Sequence, residues 1–270
     1  MIVYRCEDTL ESIFTAVYLA YEEKRDLQDT YLSLTEDPML FATDVPVTAD
    51  EEKAGKVART LVRRFGERDY HTICLALATE DTQKAQTVFR TIVQGLAWTG
   101  TGRGMQESRM QPGNSHQGSS KGHLFDNLAD DSVHKAFALA RYANREVGHL
   151  IEFVRFEELE NGILYSRVGP KVNALAFMMP HFADRLPIEN FVIFDDRRNL
   201  FGIHPAGKAW YLFHGEETDQ PQPVWSGEEG RYQELFRHFV KTIAIKERYN
   251  LKLQRNMLPL RFQEYMTEFQ

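Results

Sequence analysis

The segment PHFADRLPIENFVIFDDRRNLFGIHP, residues 180–205, decides the fold of the second half of this chain. Two apolar runs, FVIFD and LFGIH, flank the polar tetrapeptide 196–199. Short runs of β-branched and aromatic residues separated by turn residues are typical of an antiparallel hairpin. The segment therefore predicts two paired strands, with several charged side chains placed among core-type residues.

The sequence upstream predicts a second hairpin. The runs LIEFVRFEEL and ILYSRV flank Glu160–Asn161–Gly162, and Asn-Gly is a strong hairpin signal. WYLF at 210–213 fits an added edge strand. Between the hairpins, Pro170 is expected to open a helix and Pro180 to start another turn, which places His181 at a helix start.

Helical periodicity dominates the first half of the chain. Thr9 or Asp8 can cap a first helix, and Thr48 with Glu51 forms a capping-box pattern for a second. A long helix is predicted from about Asp131 to Leu150, and an amphipathic one from about Gly230 to Arg248. The pattern predicts an α+β fold, with a helical N-terminal half followed by an antiparallel sheet of hairpins packed by helices.

Composition suggests three regions. Residues 1–97 form a helical N-terminal region, and residues 98–122 form a Gly/Ser-rich connector that reads as flexible. Residues 123–270 form an α+β core domain. The GTGRG of the connector resembles part of a phosphate loop, but no strand pattern precedes it and no helix pattern follows it.

Charge and cysteine content limit the function classes. The net charge is −7, and residues 1–52 hold three basic and thirteen acidic residues. This balance argues against a protein that coats DNA non-specifically. Cys6 and Cys74 have no ligand spacing and cannot build an iron–sulfur or zinc site alone. The sequence shows neither a signal-peptide pattern nor an apolar run long enough for a membrane span, which predicts a cytoplasmic protein.

Four polar residues are candidates for catalysis: Glu146, His149, His181 and Asp195. Glu146 and His149 lie three apart on a helix and so share a face. With His181 or Asp195 they fit a mononuclear metal site, although a solvated helix end is the simpler explanation of His149. No nucleophile elbow or zinc-hydrolase motif is present, so the residues indicate neither a named reaction nor a cofactor.

Another set of residues is suited to binding an anion. A strand through LIEFVRF would point Arg155 to the same face as two apolar residues, which requires either a paired carboxylate such as Asp195 or a bound anion. Basic residues with interleaved aromatic residues near the C-terminus suit a phosphate backbone with stacked bases, and they also suit a solvated helix face. The candidate anion-binding residues are Arg145, Arg155, Arg185, Arg198, Arg248 and Asn250.

These segments together resemble a bacterial family of undefined function that is ascribed to DNA metabolism or repair. GHLIEFVRFEEL, PHFADRLPIENFVIFDDRR and KTIAIKERYN…MLPLRFQEYMTE carry the resemblance, and IVYRCEDTLESIFTAVYLAYE resembles the family's opening. The connector is longer and richer in glycine than the family's usual one. The family's motif residues correspond here to Arg145, Glu146, His149, Phe153, Arg155, Phe156, Pro180, His181, Phe182, Arg185, Asp195, Arg198, Arg248, Asn250 and Pro259.

The resemblance implies a function without a mechanism. Members of the family are typically encoded beside a radical-SAM DNA-modification or repair protein, and some are fused to a uracil-DNA-glycosylase-like domain. This chain lacks the three closely spaced cysteines of a radical-SAM cluster, so it is expected to be the accessory component. We expect it to bind nucleic acid or a nucleotide through an Arg/His groove, with a metal-dependent enzyme and a structural adaptor as the alternatives.

Overall fold

The computed structural model describes residues 1–100, 123–216 and 222–269, and the chain divides into two compact units. The first unit is Met1–Asn144 and the second is Arg145–Gln270. The division falls inside a long helix, α5 (Asp131–Phe153). The predicted connector lies outside the described residues, except that 98–100 form the end of a helix.

The first unit contains a small parallel sheet that the sequence did not predict. Its strands are β1 (Ile2–Arg5), β2 (Thr30–Ser33) and β3 (Thr43–Pro46), and β1 pairs in parallel with both of the others. Helix α1 (Leu10–Glu22) makes the crossover from β1 to β2 that parallel neighbours require. The region predicted as helical therefore also contains strands, and each of these has only four residues, too few to show a clear periodic pattern.

Three further helices of the first unit lie between β3 and residue 100. They are α2 (Glu51–Phe65), α3 (Glu67–Leu77) and α4 (Lys84–Gly100). The predicted cap of α1 is confirmed, since the Thr9 side chain accepts a hydrogen bond from the Ser12 N–H. The predicted cap of α2 at Thr48 was wrong: the cap is Asp50, whose carboxylate accepts from the Lys53 N–H at 3.0 Å.

The second unit is built on a five-stranded mixed sheet. The strands are β4 (Glu157–Glu158), β5 (Leu164–Val168), β6 (Phe191–Asp195), β7 (Leu200–His204) and β8 (Tyr211–His214), and they lie in this order across the sheet. The predicted hairpins β4–β5 and β6–β7 are both antiparallel, and β8 is the predicted edge strand. Strands β5 and β6 pair in parallel because helix α6 (Leu175–Arg185) carries the chain back between them. The α+β class is confirmed.

Two turn residues explain the hairpins locally. Gly162 and Asn199 have φ angles of +77° and +49°, in the left-handed region that favours glycine and asparagine. Helix α6 then packs its apolar face, with Met178 and Met179 fully buried, onto the sheet. A Cβ at Gly202 of β7 would collide with the Met179 side chain, so the close approach of α6 and β7 requires glycine at this position.

The C-terminal part of the second unit is helical. It consists of α7 (Glu229–Ile243), α8 (Leu251–Met257) and α9 (Leu260–Gln263), with short 3-10 turns at Lys246–Arg248 and Thr267–Phe269. The predicted helix to Arg248 was too long: α7 ends at Ile243, and Arg248 lies in a 3-10 turn. None of the helices in the described ranges combines the length and apolar content needed to cross a bilayer.

Candidate functional site

A buried ion pair holds the C-terminal segment against α5. The Glu146 carboxylate, on a residue only 3% exposed, receives two hydrogen bonds from the Arg261 guanidinium and one of 3.0 Å from the Lys171 N–H. Burial raises the pKa of Glu146, but the hydrogen bonds from Arg261 and Lys171 and the Arg261 charge outweigh it, so the pKa lies below its usual value. The carboxylate is therefore held ionised by its neighbours.

An aromatic cluster lies beside this ion pair. The His149 ring stacks on Phe153 and meets the edge of Phe262, with centroid distances of 5.9 and 5.6 Å. The Arg261 guanidinium lies 4.0 Å from the Phe262 centroid. The buried Nδ1 of His149 has no hydrogen-bond partner in the described part of the chain. His149 thus packs as an aromatic ring at the end of α5.

Arg155 lies in the loop after α5, so the expected strand through LIEFVRF was wrong. Helix α5 continues to Phe153, three residues beyond its predicted end. The Arg155 guanidinium binds both carboxylate oxygens of Glu268, with a shortest distance of 2.7 Å. Of the two interpretations of Arg155, the structure therefore shows a carboxylate pair, with Glu268 in place of Asp195.

Asp195 and Arg198 stabilise the β6–β7 turn. The Asp195 side chain is fully buried and accepts hydrogen bonds from the backbone N–H groups of Arg197 and Arg198, at 3.0 and 3.2 Å. The Arg198 guanidinium donates to Asp195 at 3.2 Å and to the Pro170 carbonyl at 2.9 Å. Burial raises the pKa of Asp195 more than the Arg198 charge and these hydrogen bonds lower it. Both side chains therefore stabilise the turn between β6 and β7.

The other sequence candidates are exposed. His181 and Arg185 lie on the outer face of α6, one turn apart, and the expected helix start at His181 was wrong because Pro180 is inside the helix. Arg145 is exposed on α5, and Arg248 is exposed in a 3-10 turn. Asn250 caps α8, since its side chain accepts from the Leu253 N–H at 3.0 Å.

The four catalytic candidates do not form a metal-binding group. Within residues 1–100, 123–216 and 222–269, no three His, Cys, Asp or Glu side chains are placed to hold a metal ion. Glu146 is engaged by Arg261 and Asp195 by Arg198, while His181 is on the exposed face of α6. The ligand set expected from Glu146 and His149 is therefore not assembled among these residues.

A cavity of about 600 Å³ in the second unit was missed by the sequence analysis. Backbone pairing of 224–226 with 158–160 brings the start of α7 beside β4, so that Glu157 and Glu229 meet. The Gln233 amide donates to both carboxylates, at 2.7 and 3.0 Å. The aromatic lining residues include Tyr165, Trp225 and Tyr265. No sequence signal pairs two glutamates so far apart in the chain.

The sequence also did not reveal that the apolar face of α7 is uncovered. Its large apolar residues recur at helical spacing, and the structure leaves them exposed, as in Tyr232 (60%), Phe239 (56%) and Ile243 (60%). We call this face the α7 stripe; it consists of Tyr232, Leu235, Phe236, Phe239, Val240 and Ile243. An amphipathic helix normally buries such a face against its own core.

The class of protein defined by these features is an α+β protein whose second unit fixes its C-terminal segment by ion pairs and exposes an amphipathic helix. The profile of a family described as a domain of unknown function, DUF4130, matches residues 115–268, and the chain belongs to this family. Comparison with curated proteins and with solved structures found no match.

Proposed function

We propose that this chain is an accessory protein of DNA metabolism that docks onto a partner protein through the α7 stripe. The observation that supports this most directly is the exposure of six large apolar side chains along one helical face. Exposed apolar patches of this kind mark interaction sites in soluble proteins. The setting in DNA metabolism, and a radical-SAM protein as the partner, rest on the family resemblance carried by the sequence motifs.

The chemistry of the stripe favours a protein groove over a nucleic acid. Leu235, Val240 and Ile243 are aliphatic, and aliphatic side chains cannot stack on bases as aromatic rings do. The spacing of the stripe matches the anchors of an amphipathic helix lying in an apolar groove. The partner surface is therefore expected to be apolar and concave.

The basic residues near the stripe predict which charges surround the groove of the partner. Residues 229–257 hold seven basic and three acidic residues, in a chain whose net charge is −7. Lys252 and Arg255 follow in α8, where they are exposed. A partner with acidic residues around an apolar groove would meet both features.

Co-purification with a radical-SAM protein of the kind expected from the family resemblance tests the proposal. Phe239→Asp places a charge at the centre of the stripe and should weaken the complex about 30-fold or more, the effect of losing a central apolar anchor. His238→Asp adds the same charge on the polar face of α7, where the side chain is exposed, and should leave binding unchanged. Equal affinity of the Phe239→Asp protein and the unmodified chain, or no complex at all, would show that the stripe is not the docking surface.

A second candidate function is binding of single-stranded nucleic acid. The specific observation is the alternation of exposed rings and cations in residues 229–257, including Tyr232 and Tyr249 with Arg248 and Lys252. Such alternation supports stacking of bases beside phosphate contacts. The expected dependence of the binding affinity on salt concentration separates this function from protein docking.

A further inference from the structure

The cavity of about 600 Å³ in the second unit has the size of a small-molecule site, and the docking function does not use it. Its lining includes four carboxylates, Glu157, Asp196, Glu229 and Glu264, and a single guanidinium, Arg167. Aromatic side chains form much of the remaining wall. Tyr165 and Trp225 meet there with a centroid distance of 6.1 Å.

One side of the cavity already shows how it accommodates a cation. The Arg167 guanidinium lies 5.2 Å from the Tyr265 ring centroid, in the range of a cation–π contact. It lies between two carboxylates, at 3.6 Å from Asp196 and 3.9 Å from Glu264. Tyr265 in turn donates its hydroxyl to Asp196 at 3.1 Å, which fixes the ring under the guanidinium.

The opposite side of the cavity also has two carboxylates and an aromatic wall, but its carboxylates have no cationic partner among the described residues. Glu157 and Glu229 share the Gln233 amide, and Glu229 also accepts from the Glu158 N–H at 2.8 Å. Among the described residues, no lysine, arginine or histidine side chain lies within ion-pair distance of either carboxylate. Burial, and then the Glu229 charge, raise the pKa of Glu157. Two nearby carboxylates with only a neutral donor between them would be stabilised by a cation.

We propose that this cavity binds the guanidinium or primary ammonium group of a ligand between Glu157 and Glu229, against the Tyr165–Trp225 wall. A carboxylate pair accepts the N–H groups of such a cation, and the rings supply the apolar and cation–π contact. A phosphate-bearing ligand is disfavoured, because the lining holds three more negative than positive groups. The cation comes from a free amine or from an arginine side chain of a partner protein.

Calorimetric titration of the full chain tests the proposal with three probes: agmatine, the peptide Gly-Arg-Gly and its citrulline analogue. Citrulline keeps the shape of arginine but is neutral, so the citrulline peptide should bind at least about tenfold more weakly, as expected when one charged hydrogen-bonded partner is lost. Tighter binding of agmatine indicates a free amine as the ligand. Tighter binding of the arginine peptide indicates a partner side chain.

Matched variants locate the binding site. Glu157→Gln keeps the hydrogen bond with Gln233 and should lower the affinity for the cation about tenfold, and Trp225→Leu should lower it without changing any charge. Asp184→Asn removes an exposed carboxylate on α6, outside the cavity, and should have no effect. The proposal is overturned if neither cation binds at millimolar concentration, or if Glu157→Gln and Asp184→Asn bind it equally well.

Discussion

At Glu146, burial and hydrogen bonding shift the pKa of one carboxyl group in opposite directions. The residue is almost fully buried, yet Arg261 and the Lys171 N–H keep its pKa below the usual value. Glu146 is a candidate catalytic residue by sequence, but a sequence alone cannot show whether such a carboxylate takes part in a reaction or pairs with a cation. The structure shows a pair whose partner, Arg261, is 115 residues away.

Arg261→Ala should strongly destabilise the second unit. It leaves the Glu146 carboxylate buried without its cation, which costs about 3–5 kcal/mol in comparable pairs. Urea unfolding followed by circular dichroism measures the loss. Arg185→Ala, an exposed change on α6, should stay within about 0.5 kcal/mol of the unmodified protein. A loss at Arg261 no larger than that at Arg185 would mean that the pair contributes little.

The lowered pKa of Glu146 also predicts a pH dependence of stability. A carboxyl group whose pKa is lower in the folded state stabilises the fold at pH values above its unfolded pKa. This contribution is lost as the pH falls through the folded pKa. Glu146→Gln should therefore reduce the decline of the unfolding free energy on acidification. Urea unfolding at several pH values between neutral and acidic measures this. If the unfolding free energy of Glu146→Gln falls with pH as steeply as that of the unmodified protein, the prediction is wrong.

At the scale of elements, the C-terminal segment is fixed to the second unit at two points. Arg261 of α9 binds α5, and Glu268 in the last 3-10 turn binds Arg155 in the loop after α5. Phe262 and Met266, between these points, are buried. The segment is therefore part of the folded unit, and Arg155 serves to fix it there.

Arg155→Ala should loosen this segment without unfolding the sheet. Glu268 would lose a two-pronged partner, which is worth about 1.5–3 kcal/mol for hydrogen bonds to a charged group. Hydrogen exchange should quicken at residues 260–269 and stay slow in β6 and β7. The matched change Arg197→Ala removes an arginine in the β6–β7 turn and should not alter exchange at 260–269. Equal protection in Arg155→Ala and the unmodified protein would show that the pair does not hold the segment.

Local sequence patterns predicted those elements that are marked by turn residues or by a run of aromatic residues. The Asn161–Gly162 turn and the 196–199 turn gave both hairpins, and β8 was found from its aromatic run. The parallel sheet of the first unit was missed because four-residue strands have too little periodicity to separate from loop. Arg155 was misplaced because helix α5 continues through Phe153, and nothing in LIEFVRF distinguishes a helix end from a strand.

The site residues were predictable only in part, for the same reason. Asp195 and Arg198 were predicted as functional-site residues, and their pairing in the turn was missed, although Asx-turn chemistry is common between residues this close in sequence. The pairs of Glu146 with Arg261 and of Glu157 with Glu229 join distant segments, so only the fold reveals them. The exposure of the α7 stripe is likewise a property of the fold, since its sequence is that of an ordinary core-facing helix.

At the scale of the whole molecule, charge is distributed unevenly along the chain. Residues 1–52 carry a net charge of −10, whereas residues 229–257 hold seven basic and three acidic residues. A basic segment in an acidic chain can bind a nucleic acid locally, while the remainder limits non-specific binding by repulsion. Any nucleic-acid contact is therefore expected in 229–257 more than in a groove around Arg145 and Arg185.

Binding of a single-stranded oligonucleotide at several salt concentrations tests this expectation. The logarithm of the affinity should fall with the logarithm of salt concentration, with a slope of about −0.7 for each phosphate neutralised. Lys241→Gln combined with Lys252→Gln removes two exposed cations and should make the slope shallower by about 1.4. Arg145→Gln combined with Arg185→Gln should leave the slope unchanged. If only the Arg145→Gln and Arg185→Gln changes alter the slope, the nucleic acid binds in the Arg/His groove. If no oligonucleotide binds even at low salt, protein docking remains as the function of residues 229–257.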